Sequence, residues 1–402
     1  MMKTKLPYLS KFLSAVTCWM AFGFLANPSD ANAQLNVTVK NTLDFERSEV
    51  IAINVKKLSK LLKVAPASQI RIREAGQTSN LILQWIDEDN DGKPEELLFK
   101  PTLKANATTN YVVLVDGTTP LTESNVITYS RFVPERTDDY AWENDKVAFR
   151  TYGPDAQMRV EKKMSNGTLS SGIDLWLKRT ELPVINEWYK GYLTDPNYYH
   201  KDNGKGYDPY HVGASRGTGG TGVWEGDTLL VSKNFTSYKT IVTGPLRAVF
   251  ELDYAPYSRY NVKETKRISL DLGSNFSKFE VFYTSSEKLP NYTMGITLHD
   301  KKGQVNVLKD QGLFIHHETM DNTYLGEAII VNPKIVKQAF ANKSKVRDQS
   351  NLLVLTKPKK STVFYAGFAW AKSGQVKDSN DWESFVKKQK KIIDSPLQIV
   401  IK

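Results

Sequence analysis

Between residues 131 and 226 the chain gathers side chains that suit work on a polyhydroxylated ligand. His200, His211, Tyr199, Tyr207 and Tyr210 lie in a Gly-rich stretch that runs on through Ser215-Arg216-Gly217-Thr218-Gly219-Gly220. Arg136, Trp142, Arg150 and Trp176 precede it. Aromatic rings stack on the apolar faces of sugars, while carboxylates, Asn and Arg make paired hydrogen bonds to hydroxyls. An imidazole is the best general base near neutral pH, and a phenol can return the proton. A guanidinium fork holds a carboxylate at two points. On these grounds His200 or His211 is the candidate base, Tyr210 the candidate acid and Arg216 the candidate clamp. Arg136, Trp142, Arg150, Tyr199 and Tyr207 are the candidate binding residues.

Three other clusters compete. Asp87-Glu88-Asp89-Asn90-Asp91-Gly92 has the aspartate spacing of a calcium loop, but the closing carboxylate position holds Leu98, so a polar hairpin is expected. His316-His317-Glu318 could supply metal ligands. Adjacent residues on a strand face opposite ways, so at most one of those histidines joins a given site. His299, beside Asp300, reads as structural. No metal site is assigned and no cofactor is called for, although a divalent cation stays open. A glycoside hydrolase would need two carboxylates, for which Glu143, Asp145, Asp174, Asp202 and Asp208 are available.

These residues need a rigid scaffold, and period-two alternation says what it is. Strands are expected at 35–39, 51–55, 111–115, 247–254, 266–272, 278–284, 352–356 and 362–370, with helix only at 335–341 and 381–393. The fold class is all-β. A boundary near Ser130 divides a small β-sandwich, 34–130, from a larger module, 131–402. The consecutive strands from Gly244-Pro245 to Tyr283 resemble those of galactose-mutarotase-like supersandwiches, which bind sugars on a concave sheet.

Residues 1–33 read as an export signal: Lys3, Lys5 and Lys11, an apolar run from Phe12 to Leu25, and Ala31-Asn32-Ala33 as the cleavage site. The expected location is periplasmic or secreted, with cleavage after Ala33. That apolar run is too short to span a bilayer. Cleavage would remove Cys18, the single cysteine, and with it any thiolate chemistry or internal disulfide. The formal net charge of +10 favours polyanions, and outside the cytoplasm that means acidic polysaccharide rather than nucleic acid. The runs at 357–360 and 387–391 read as solvated basic faces. The expected partner is an acidic oligosaccharide, with neither nucleic acid nor membrane, and the oligomeric state is open.

The blocks Pro134-Glu135-Arg136, Trp142-Glu143-Asn144-Asp145, Tyr152-Gly153-Pro154, Gly172-Ile173-Asp174 and His200 through Gly213 resemble a further family. It comprises secreted bacterial proteins carrying a domain of unknown function, encoded beside unsaturated uronyl hydrolases in polysaccharide-utilisation loci. The resemblance implies uronic-acid oligosaccharides of ulvan or pectin type, and a dehydratase that leaves a 4,5-unsaturated uronate. Polysaccharide lyase, mutarotase-like epimerase and non-catalytic sugar binder are the alternatives.

Overall fold

The computed structural model describes residues 34–402; the export signal expected at 1–33 lies outside the described residues. In the first strand, Gln34–Lys40, Leu35, Val37 and Val39 point inward and the intervening residues outward. This strand sits inside a four-stranded antiparallel sheet, between Gln398–Ile401 and Thr108–Val115, with Ile70–Glu74 beyond. A three-stranded sheet of Ile51–Asn54, Glu96–Phe99 and Leu83–Ile86 completes the hydrophobic core around Val37, Ile53, Ile72, Leu97 and Val113. The small sandwich thus takes its edge strand, Gln398–Ile401, from the far end of the chain, beyond the 34–130 span read from sequence.

Among the described residues, the larger module sets one eight-stranded antiparallel sheet against two five-stranded sheets. The eight run in space from Phe235–Val242 through Arg247–Tyr257, Val262–Asp271, Phe276–Thr284, Ser361–Trp370, Thr323–Val331 and Leu313–Met320 to Gln304–Leu308. One opposing sheet holds Tyr129–Val133, Asp139–Glu143, Ala148–Thr151, Asp174–Lys178 and Gly206–Tyr207. The other holds Thr228–Leu230, Thr218–Glu225, Tyr292–Thr297, Asn351–Thr356 and Val336–Asn342. All three share one core, with Trp142 and Phe149, Met294 and Val354, and Phe250 and Phe364 as members. This is an all-β supersandwich.

The helix Ser379–Asp394 lies on the outer side of the eight-stranded sheet, with Trp382 and Val386 packed on Phe276, Ile315 and Ile330. Asp378 caps it, accepting from the Asn380 and Asp381 N–H groups. The helix expected at 335–341 is instead the strand Val336–Asn342. A register shift between Val336 and Gln338 breaks its alternation, so the apolar spacing imitates a helical stripe. Two short helices not anticipated, Pro154–Glu161 and Ile185–Tyr192, flank the first five-stranded sheet.

The Gly-rich run 217–220 is not a surface loop. Ile173 and Gly217 form a parallel bridge that joins the two five-stranded sheets. A Cβ on Gly217 would lie 1.7 Å from the Ile173 carbonyl oxygen, at a φ of +54°. Gly204 also has a positive φ, +94°, but has nothing within 4 Å. Gly217→Ala should therefore cost well over about 3 kcal/mol, against about 1–2 for Gly204→Ala, which carries only the backbone penalty. Urea melts of the two variants check this, and equal losses would refute the steric role of Gly217.

Candidate active site

Antiparallel register builds the site before any loop contributes. Arg150 and Asp174 are direct cross-strand partners, and Asp139 opens the next strand, so three charged side chains share one buried surface of the sheet. Arg150 is 4 % exposed. Its Nε donates to Asp174 Oδ2 at 2.8 Å, one terminal nitrogen to Asp208 Oδ2 at 2.9 Å and the other to the Tyr199 hydroxyl at 3.2 Å. Asp139 Oδ2 lies 3.6 Å away. The rings of Tyr152, Trp176 and Tyr199 surround the guanidinium at centroid distances of 5.3–5.4 Å. Three carboxylates thus converge on one buried cation, with Arg136 as a second, more peripheral one.

That imbalance sets the protonation. Burial, reinforced by the nearby Asp174 charge, holds the Asp208 carboxyl well above the usual carboxylate range, and its Oδ1 has no hydrogen-bond partner. Burial therefore favours the protonated form of Asp208 beside the cleft, against the pull of Arg150. Burial likewise raises Asp139 to about 6, against the pull of Arg150 and Arg136.

The cleft above this network has a volume of about 410 Å3 and is lined by Arg136, Arg150, Tyr152, His200, Asp208, Tyr210 and His211, with stretches 167–169 and 212–214. His200 Nδ1 lies 2.9 Å from the Asp208 carbonyl oxygen. A carbonyl only accepts, so Nδ1 carries the proton and Nε2 keeps its lone pair. The side chain is 45 % exposed, and burial of the rest lowers its pKa below 6.5. His211 stands between this cleft and a second of about 430 Å3 that contains His299, Arg347 and Asp348; its Nε2 faces Asp348 Oδ2 at 3.2 Å.

Several expected residues sit elsewhere. Arg216 is no clamp: it is 1 % exposed, donates to Ser171 Oγ and to the Thr221 and Ala214 carbonyls, and lies between the sheets where burial lowers its pKa to about 10. Trp142 is no sugar platform; it is fully buried, bonded to Ser277 and stacked on Phe149. Tyr199 is buried under the site and accepts from Arg136 and Arg150. Tyr207 faces Trp370, outside the cleft wall. Tyr210 reaches the cleft, but its hydroxyl donates to buried Glu327 at 2.6 Å, so its proton points away from a ligand.

Of the hydrolase carboxylates, only Asp208 lines the cleft. Glu143 pairs with Lys178 at 2.9 Å and accepts from Val184 and Ile185 N–H at the start of the helix Ile185–Tyr192, which is a structural cap. Asp145 holds the Gly273 N–H, and Asp202 holds Arg179. Asp139 escaped the sequence reading, and Asp208 entered it only as one of five hydrolase carboxylates, because their signal is the tertiary packing that gathers them around Arg150, not their spacing. The loop at 87–92 is a hairpin tip whose carboxylates accept backbone N–H groups of Asp91, Gly92 and Lys93; Glu95 joins Asp87, Asp89 and Asp91 within 4.8 Å.

Two outcomes follow from the network. Arg150→Met strands three buried carboxylates and should cost about 3–5 kcal/mol in urea unfolding; a loss under 1 would show that the pairs are dispensable. The raised Asp139 pKa stabilises the fold most below the ordinary carboxylate range, and that contribution is lost as pH rises through about 6. Asp139→Asn should flatten this decline in unfolding free energy between about pH 4 and about pH 7; an unchanged slope would place the titration elsewhere.

Comparison with known proteins bears on the fold and the family. "Uncharacterized protein P7" of Formosa agariphila is 42% identical over 371 residues, covering 91% of this chain and 93% of that one. A solved structure titled as a protein in the glycosyl hydrolase family 38 from Enterococcus faecalis aligns with a TM-score of 0.52 at 9% identity, over 92% of this chain and 47% of its own. An alpha-mannosidase from Enterococcus faecalis V583 aligns at a TM-score of 0.45 and 9% identity, over 92% and 46%. The chain spans about half the length of these solved proteins, and at such identity the first likeness speaks to fold alone. A profile described as a domain of unknown function, DUF4861, matches residues 39–399, and with that span and the near full-length relative the chain belongs to the DUF4861 family.

Proposed function

We propose that the protein is an exported carbon–oxygen lyase that removes water from the non-reducing-end uronic acid of acidic oligosaccharides of ulvan or pectin type. The observation that carries this reading is His200: an imidazole fixed by the Asp208 carbonyl with Nε2 free, in a cleft that also holds Arg136 and the Asp208 carboxyl, whose burial favours its protonated form. In the reaction, His200 Nε2 takes the C5 proton, which the neighbouring carboxylate makes acidic. Arg136, tethered through Nε to Tyr199 and through one terminal nitrogen to Thr137, meets the growing negative charge on that carboxylate. The C4–O bond breaks as its electron pair leaves with oxygen, and Asp208 in place of Tyr210 supplies the proton that makes the leaving group water. The C5–H pair becomes the C4=C5 bond of the unsaturated product. An unsaturated uronyl hydrolase is the class of enzyme that would consume it.

Two features weigh against the other readings. Trp142, Trp176 and Tyr199 are buried, so the cleft lacks the aromatic strip of a passive sugar binder. A single cleft-lining carboxylate does not make the pair that glycoside hydrolysis uses. The positive formal charge suits an anionic substrate, and the export signal read at 1–33 supports a reaction in the periplasm or outside the cell.

Uronate-terminated ulvan and pectin oligosaccharides, incubated with the protein, should gain the ultraviolet absorbance of a conjugated unsaturated uronate while losing the mass of one water. His200→Ala should lower the rate about 10³-fold, and Arg136→Met should act mainly on KM. The rate should fall as pH drops through a value below 6.5, because the depressed His200 pKa keeps its base form available to that point. Absorbance gained with chain shortening would identify a polysaccharide lyase, and binding without turnover would sink the enzymatic reading.

A further inference from the structure

Beneath the cleft lies a second set of titratable side chains that the elimination does not use. His316 and Glu318 are two apart on the strand Leu313–Met320, so both face the same side of the eight-stranded sheet. Glu327, on Thr323–Val331, is the direct cross-strand partner of His316. The three offer ligand atoms that all lie within 4.8 Å of one another. They are 1 %, 7 % and 0 % exposed, respectively. His317, on the opposite face, turns to Tyr324 instead.

Charge balance makes this cluster unusual. Glu318 and Glu327 form salt bridges only with His299 and His316 among the described residues, and no Lys or Arg reaches them. Two carboxylates buried without a permanent cation are costly, and such groups are ordinarily paired or bound to a metal ion. Both carboxylates are also held from behind. Glu327 Oε1 accepts from the Tyr210 and Thr218 hydroxyls, leaving Oε2 toward His316 Nδ1 at 2.7 Å. His299 Nδ1 meets both Glu318 oxygens, at 2.9 and 3.0 Å, while its Nε2 meets the His211 carbonyl at 3.0 Å. Partners that orient ligating carboxylates from the outside are the usual surroundings of a protein-bound metal.

We infer that His316, Glu318 and Glu327 bind one divalent transition-metal ion, with zinc the best match to one imidazole and two carboxylates. The ion neutralises the buried carboxylates and fixes Glu327, and through it Tyr210 on the floor of the cleft. No step of the elimination runs through it.

Untagged full-length mature protein, stripped with chelator and titrated with zinc sulfate, should bind one tight equivalent by elemental mass spectrometry. Its melting temperature should rise by about 3 °C or more at a hundredfold excess over Kd. Glu318→Gln should abolish that equivalent. Asp89→Asn with Asp91→Asn should keep it, which separates the site from the exposed acidic hairpin. Should Glu318→Gln fail to fold, zinc K-edge absorption of the wild type decides: a shell of one imidazole and two carboxylates supports the site, and a shell without imidazole overturns it. Absence of a tight equivalent in the wild type, or its survival in folded Glu318→Gln, also overturns it.

Discussion

One buried guanidinium holds the site together. Arg150 cannot lose its proton and is nearly shut off from water, so the chain must bring acceptors to it. It does so with three aspartates from three different segments and a tyrosine hydroxyl. The register that pairs Arg150 with Asp174 therefore does more than form a sheet: a slip of one residue would turn the arginine to the other face and leave its partners unmatched. Burial of three carboxyls around Arg150 and the more peripheral Arg136 raises the pKa of Asp208, the member that borders the cleft, well above the usual carboxylate range.

From this network His200 acquires its orientation. His200 follows the buried Tyr199, which is itself tied to Arg150 and Arg136, and its ring is steered by the Asp208 backbone. The imidazole thus inherits its tautomer from the segment that carries Asp208. Beneath the cleft, Glu327 collects hydroxyls from Tyr210 and Thr218 and joins the loop to both sheets of the sandwich. The cost of burying so many polar groups is offset by a shared aromatic and aliphatic core, whose rigidity keeps those groups in register.

Much of the architecture was legible in the chain because alternation is a local signal. Residues 35–39, 111–115, 278–284 and 362–370 each place apolar side chains at period two, and each lies within a strand. The helix at 381–393 carries its own cap and stripe. The segment 335–341 misled because a bulge disturbs its period, and a bulge is set by the partner strand, which lies outside the window. The density of His, Tyr and Arg between 198 and 216 did mark the neighbourhood of the cleft. The role of each member was not written there: Arg216 and Trp142 have the right chemistry and the wrong depth.

What the amino-acid sequence determined by itself, then, is the all-β class and the stretch of chain that furnishes the cleft. Those follow from composition and period, properties of neighbouring residues. Tertiary structure alone decided that Arg150 is a buried hub, that burial raises the Asp208 pKa, that Arg136 and not Arg216 faces the cleft, and that Glu327 completes a set with His316 and Glu318. Each of these depends on cross-strand register and desolvation, which arise only when segments distant in the chain are packed together.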